Sequence, residues 1–153
     1  MHSHEARISW QRDAGDLVKG RYSRAHTWQF DGGISVPASP SPSIVPAPYS
    51  NATAVDPEEA LVAAAASCHM LTFLWVASKR GYVVDSYTDR AVGILEKNAQ
   101  GRLAITRITL KPRIVFSGSE HPTPEVLETL HHAAHDECYI ANSINCAIDV
   151  ESP

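Results

Sequence analysis

Cys68, Cys138 and Cys146 are the only thiols of the chain, and eight histidines accompany them. Thiols can ligate metal, attack as thiolates, or oxidise reversibly to sulfenic acid and disulfide. Cys146 alternates with Ile144 and Ile148 in NSINCAIDVES, the pattern of a strand face packed into a core, and no cation stands beside it. Cys138 follows Asp136 and Glu137, whose charges favour thiol over thiolate, so it suits a resolving role better than an attacking one. Cys68 lies in ALVAAAASCHMLTFLWVAS, a stretch without Asp, Glu, Lys or Arg. An apolar setting raises a thiol's pKa, and mid-helix is too far from the positive helix end to offset that. A reactive Cys68 therefore needs a cation from another element, because His69, the next residue, projects about 100° away around a helix. His131, His135 and Cys138 fall at i, i+4 and i+7 and would form one stripe of zinc ligands if their helix persisted that far. The run HHAAHDE reads more simply as the solvated side of a helix whose Leu127, Leu130 and Ala134 face inward.

The elements that position these residues are well punctuated. DPEEALVAAAASCHMLTFLWVASKRG predicts a helix over 56–80: Asp56 as N-cap, Pro57 in the first turn, Glu59 at the capping-box position, basic residues in the last turn and Gly81 as stop. Such a helix is roughly 35 Å long, and being apolar on most sides it must be covered on most sides. Before it, HTWQFDGGISV predicts strands joined at Asp31-Gly32-Gly33 within residues 1–36, and prolines 37, 40, 42, 46 and 48 make 37–55 a long loop. After it, YVVDSYTDRAVGILEK and RLAITRITLKPRIVFSG read as alternating strands over 82–118, with NAQG as the turn between them. A second helix over 122–137 and a final strand over 143–151 complete the chain. The order implies an α+β fold, with helices packed on an antiparallel sheet.

At 153 residues the chain is expected to form a single domain, 1–153, and its composition is that of an ordinary globular protein. A net charge of −4 with scattered cations argues against nucleic acid as a partner. The apolar run is interrupted by Ser67, His69, Thr72 and Ser78, which argues against a membrane span. MHSHEARISW carries no secretory pattern, and the expected location is cytoplasmic, where an odd number of cysteines does not build a disulfide framework. A chain of this size has difficulty wrapping so apolar a helix alone, and a dimer sharing its core would solve the problem.

With these pieces placed, the chain resembles the OsmC/Ohr family, the osmotically induced and organic-hydroperoxide-resistance proteins. DPEEALVAAAASCHM is similar to that family's Asn-Pro-Glu helix start, with the first cysteine ten residues beyond the first Glu, and AHDECYIANSI is similar to its second-cysteine segment. The resemblance runs from about Gly20 to Val150. It departs at Asp56, which replaces Asn, at SCHM and in the proline loop. The resemblance implies an OsmC-like fold with a long buried central helix, assembled as an intertwined homodimer with shared active sites. It also implies that Cys68 is the peroxidatic cysteine, Cys138 the resolving one and Glu58 the acidic residue. The family's arginine falls in GRYSRAHTWQF, at Arg24 in preference to Arg21. The implied activity is a thiol-dependent peroxidase acting on organic hydroperoxides without cofactor or metal, recycled by an external dithiol or lipoyl-type reductant. On one straight helix Glu58 and Cys68 lie about 15 Å apart along the axis, so Glu58 would serve the partner's site, or the helix would begin later. A wall of Met70, Leu71, Phe73 and Trp75 would favour a hydrocarbon-bearing peroxide. Two other readings of the same residues are a non-catalytic dimeric ligand-binding protein with Cys68 inert, and a zinc protein using His131, His135 and Cys138.

Overall fold

The computed structural model describes residues 1–151 and divides into two compact units, Met1–Ala60 and Leu61–Pro153. In the first unit, β1 (Ala6–Ser9), β2 (His26–Phe30) and β3 (Ser35–Ala38) form an antiparallel sheet in that order. The β2–β3 hairpin turns where the sequence places it: Gly33 has φ +83° and donates its N–H to Phe30 O at 2.9 Å. Pro37 lies within β3, two residues of which extend into the segment read as loop, and the strand tolerates it because β3 is an edge. From Ser39 onward the proline segment makes no strand. It is tied back by Ser39 N–H to Val55 O (3.0 Å), Val55 N–H to Pro37 O (3.1 Å) and Asn51 N–H to Ser39 Oγ (2.8 Å). The unit ends in a reciprocal capping box, with Glu59 N–H donating to Asp56 Oδ1 (2.7 Å) and Asp56 N–H to Glu59 Oε2 (3.3 Å).

Those bonds start α1 (Pro57–Lys79), which Gly81 ends at φ +83° while Tyr82 N–H closes on Ala77 O at 3.1 Å. In the second unit, Phe73, Val76 and Ala77 of α1 pack with Leu130 and Ala134, and Ala65 packs with Ile108 and Leu110. The other side of α1 is open: Ala63, Ala64, Ser67 and Ser78 are exposed, as are Leu71 (61%) and Trp75 (53%). The expected cover on most sides is thus met along one face.

Each of the two long strand segments breaks in the middle, which the alternation did not reveal. The first splits into β4 (Val83–Asp89) and β5 (Val92–Lys97), the second into β6 (Leu103–Leu110) and β7 (Pro112–Ser117). Pro112 has no N–H for a continued ladder, and Asp89 Oδ1 takes the Lys111 N–H at 2.7 Å. β4 therefore pairs antiparallel with β7, and β5 with β6. The last strand, β8 (Ala147–Val150), joins β6 in parallel, a departure from the all-antiparallel reading. The chain reaches it through α2 (Pro124–Asp136), capped by Thr123, and a 3-10 turn at Ala141–Ser143. The architecture is α+β, with mainly antiparallel sheets and one long helix.

Candidate active site

Cys68 is half-buried in the middle of α1, and Thr72 Oγ1 donates to its carbonyl at 2.9 Å. Cys138 is buried just past the end of α2, and its thiol is a close enough neighbour of the Cys68 thiol to be perturbed by it. Two sulfurs far apart in sequence are thus brought into one site. The segment carrying Cys138 is rooted in α2 through Cys138 N–H to His135 O (3.1 Å), and Ala141 N–H donates to the sulfur at 3.4 Å. Burial pushes the Cys138 thiol up, and the neighbouring Cys68 adds to that, so Cys138 keeps its proton. A thiol held protonated attacks poorly, which suits Cys138 to resolving rather than attacking. Cys146, also raised by burial, packs beside the Ala65, Ile108 and Leu110 cluster as a core residue.

The zinc stripe does not form. α2 ends at Asp136 with Glu137 as its C-cap, so Cys138 leaves the helical face, and among the described residues no three His, Cys, Asp or Glu side chains cluster closely enough to hold a metal.

The histidine run holds instead an arrangement that sequence reasoning missed. His131 is buried (4% exposed) and so is His69 (1%), and their rings lie nearly parallel, 11° apart with centroids separated by 5.3 Å and His69 Nε2 3.0 Å from His131 Nδ1. Phe73 packs on His131 at 4.6 Å. His69 Nδ1 is buried without a partner. A buried N–H left there would be an orphan donor, so we assign the His69 proton to Nε2, donating to His131 Nδ1, with the His131 proton on its own Nε2. Burial lowers the His69 pKa to about 4, helped by His131 and His135, and burial with His132 lowers that of His131 to about 4. Both rings are neutral at pH 7. The available signal was His69 itself, a polar residue on the same helical stripe as Phe73 and Val76.

In the first unit, the Arg24 guanidinium donates to Tyr22 O (3.1 Å) and Gly20 O (3.3 Å) and lies 4.1 Å over the Tyr22 ring. It borders an apolar cavity of about 420 Å³ shared with Trp10, Leu17, His26 and Pro57. Arg21 is exposed, its backbone paired with Asp16. Glu58 is half-buried in the first turn of α1, and among the described residues neither Arg24 nor Glu58 forms an ion pair within the chain. Of the apolar wall expected around Cys68, Phe73 belongs to the core against Tyr87 and His131, Met70 is half-buried, and Leu71 and Trp75 are exposed.

Comparison with known proteins settles the family, since a model described as OsmC-like protein matches residues 50–152. The chain belongs to the OsmC-like family. A solved OsmC-like protein of unknown function from Vibrio cholerae is 50% identical and superposes with a TM-score of 0.96, each chain covered completely. The organic hydroperoxide resistance protein OsmC from Legionella pneumophila (15% identity, TM-score 0.67, 99% of this chain and 96% of that one) shares the fold. So does the organic hydroperoxide resistance protein OhrB of Bacillus subtilis (20%, 0.65, 97% and 98%). No curated protein matches the chain.

Proposed function

We propose that this OsmC-like protein is a cysteine-based peroxidase that reduces organic hydroperoxides. The observation that carries the reading is the proximity of a half-buried Cys68 to a buried Cys138 whose thiol is pushed up by burial. The Cys68 thiolate attacks the outer oxygen of ROOH, the O–O bond breaks, and the alkoxide leaves with a proton as ROH, giving Cys68–SOH. The Cys138 sulfur then attacks Cys68, forming the disulfide and releasing the hydroxyl with the Cys138 proton as water. An external dithiol, lipoyl-type or small, returns both thiols by exchange and is itself oxidised to a disulfide.

Arg24, in preference to Arg21, supplies the cation that favours the thiolate and the departing alkoxide, with Glu58 orienting its fork. The family resemblance supports this assignment. The family resemblance favours a hydrocarbon-bearing peroxide over hydrogen peroxide, by about 0.8 kcal/mol for each methylene buried. The exposed stripe of α1, Ala63, Ala64, Ser67, Leu71 and Trp75, supports a homodimer closed across this helix.

Stopped-flow oxidation of the reduced protein by cumene hydroperoxide and by hydrogen peroxide, with mass spectrometry of the product, tests the proposal. Fast thiol loss that requires Cys68 and ends in a Cys68–Cys138 disulfide is expected. Reaction no faster than a free thiol, in wild type and Cys68→Ser alike, would leave a non-catalytic ligand-binding protein.

A further inference from the structure

The His69–His131 pair joins the two sulfur-bearing segments by a buried polar bond. His69 follows Cys68 on α1, and His131 lies on the turn of α2 that precedes His135, whose carbonyl holds the Cys138 N–H at 3.1 Å. The pair's 3.0 Å contact fixes both the separation of α1 from α2 and their register along the axes, because an N–H···N bond between two ring edges is directional and tolerates little sliding. Apolar packing of Phe73, Val76 and Ala77 against Leu130 and Ala134 brings the helices together but allows neighbouring registers at small cost. A displacement of one ångström between reacting groups can cost a hundredfold in rate.

We propose that His69 and His131 are positioning residues that hold the Cys68 and Cys138 sulfurs in reach of one another, acting as a polar clamp between α1 and α2. The inference rests on the cysteine pairing of the proposed function, and it assigns to the histidines no contact with peroxide. His69 projects away from Cys68 and faces His131. The clamp acts through the backbone of the two helices, and its effect is on the effective concentration of one thiol at the other.

The test uses glutathione, which reads the pairing without any peroxide. The full chain is equilibrated with reduced and oxidised glutathione at pH 7; two protein thiols lose two hydrogens to form the Cys68–Cys138 disulfide while one glutathione disulfide becomes two glutathiones. Mass spectrometry of trapped samples gives the equilibrium constant. His131→Phe keeps an aromatic ring and removes the nitrogen, and the constant is expected to fall about 10- to 100-fold. His131→Asn and His69→Gln, whose amides place an acceptor or donor near the lost ring nitrogen, are expected to stay within about threefold of wild type. A folded His131→Phe variant with the wild-type constant overturns the clamp. If His131→Phe does not fold, the amide variants decide: a tenfold loss in either folded protein overturns it, and retention supports it. A wild-type chain that forms no Cys68–Cys138 disulfide refutes the pairing, and the clamp with it; pairing that ignores the histidines refutes the clamp alone.

Discussion

Acidification should unfold this protein through its buried histidine pair. His69 and His131 are held near pKa 4 against an ordinary value of 6.5, chiefly by burial, with His131 and His135 adding to the shift of His69 and His132 to that of His131. Between about pH 6.5 and 4 the unfolded chain therefore binds protons that the folded chain refuses, and stability falls as pH falls across that window. Above 6.5 both states carry neutral rings and the effect vanishes. A shift of about two and a half units at 1.36 kcal/mol each is worth about 3 kcal/mol for the first histidine. The second cannot simply be added, because the His69 value already contains repulsion from a charged His131, so the pair contributes between about 3 and 6 kcal/mol. Against a usual domain stability of 5–15 kcal/mol this is a large share. Urea titrations of the reduced protein at pH 7, 5.5 and 4.5 measure it, with the His69→Phe/His131→Phe double variant as reference to remove the carboxylate contribution. The wild type should lose at least about 2 kcal/mol more than the reference between pH 7 and 4.5. Parallel pH profiles for the two proteins would refute the argument.

Other perturbations address separate parts of the structure. Asp56→Ala removes the cap of α1 and should cost about 1 kcal/mol, read as a lower urea midpoint at unchanged slope. Gly93→Ala would place a Cβ 2.5 Å from Val62 Cγ2, so it should destabilise by about 1–3 kcal/mol, and adding Val62→Ala should restore part of the loss in a double-mutant cycle. Cys138→Ser should let peroxide drive Cys68 through sulfenic to sulfinic acid, seen as a gain of two oxygens by mass spectrometry. Trp75→Glu on the open face of α1 should convert a dimer to monomer by light scattering; an unchanged mass would place any interface elsewhere.

What the sequence makes legible is local. The capping box at Asp56 and Glu59, the turn at Gly33 and the stop at Gly81 each follow from short-range chemistry, and each stands where the residues put it. The break of each strand segment is less legible because Arg90-Ala91 carries no strong turn signal; its cause, Asp89 binding the Lys111 N–H, joins residues distant in sequence. The parallel pairing of β8 with β6 depends on the path through α2 and cannot be read from the alternation of Ile144, Cys146, Ile148 and Val150. The two cysteines were found by type and family spacing, whereas their contact is a property of tertiary packing. His131 was misread because an amphipathic pattern assigns histidine to the wet side, and only the facing His69 makes burial tolerable.

That pair also bears on why the chain keeps polarity in its core. Two imidazoles consume one another's hydrogen bond, leave His69 Nδ1 without a partner and make the fold acid-sensitive, so for stability alone two apolar rings of similar volume should serve at least as well. Removing one histidine alone is different, since it strands the other's buried nitrogen. The double His69→Phe/His131→Phe variant at pH 7 is accordingly expected to be as stable as wild type or more so, while either single substitution is less stable. If it is stable and still forms its Cys68–Cys138 disulfide with the wild-type constant, polarity at this site serves neither fold nor pairing. If it is stable and pairs poorly, a directional bond has been exchanged for permissive packing, and the histidines are retained for the alignment of two sulfurs.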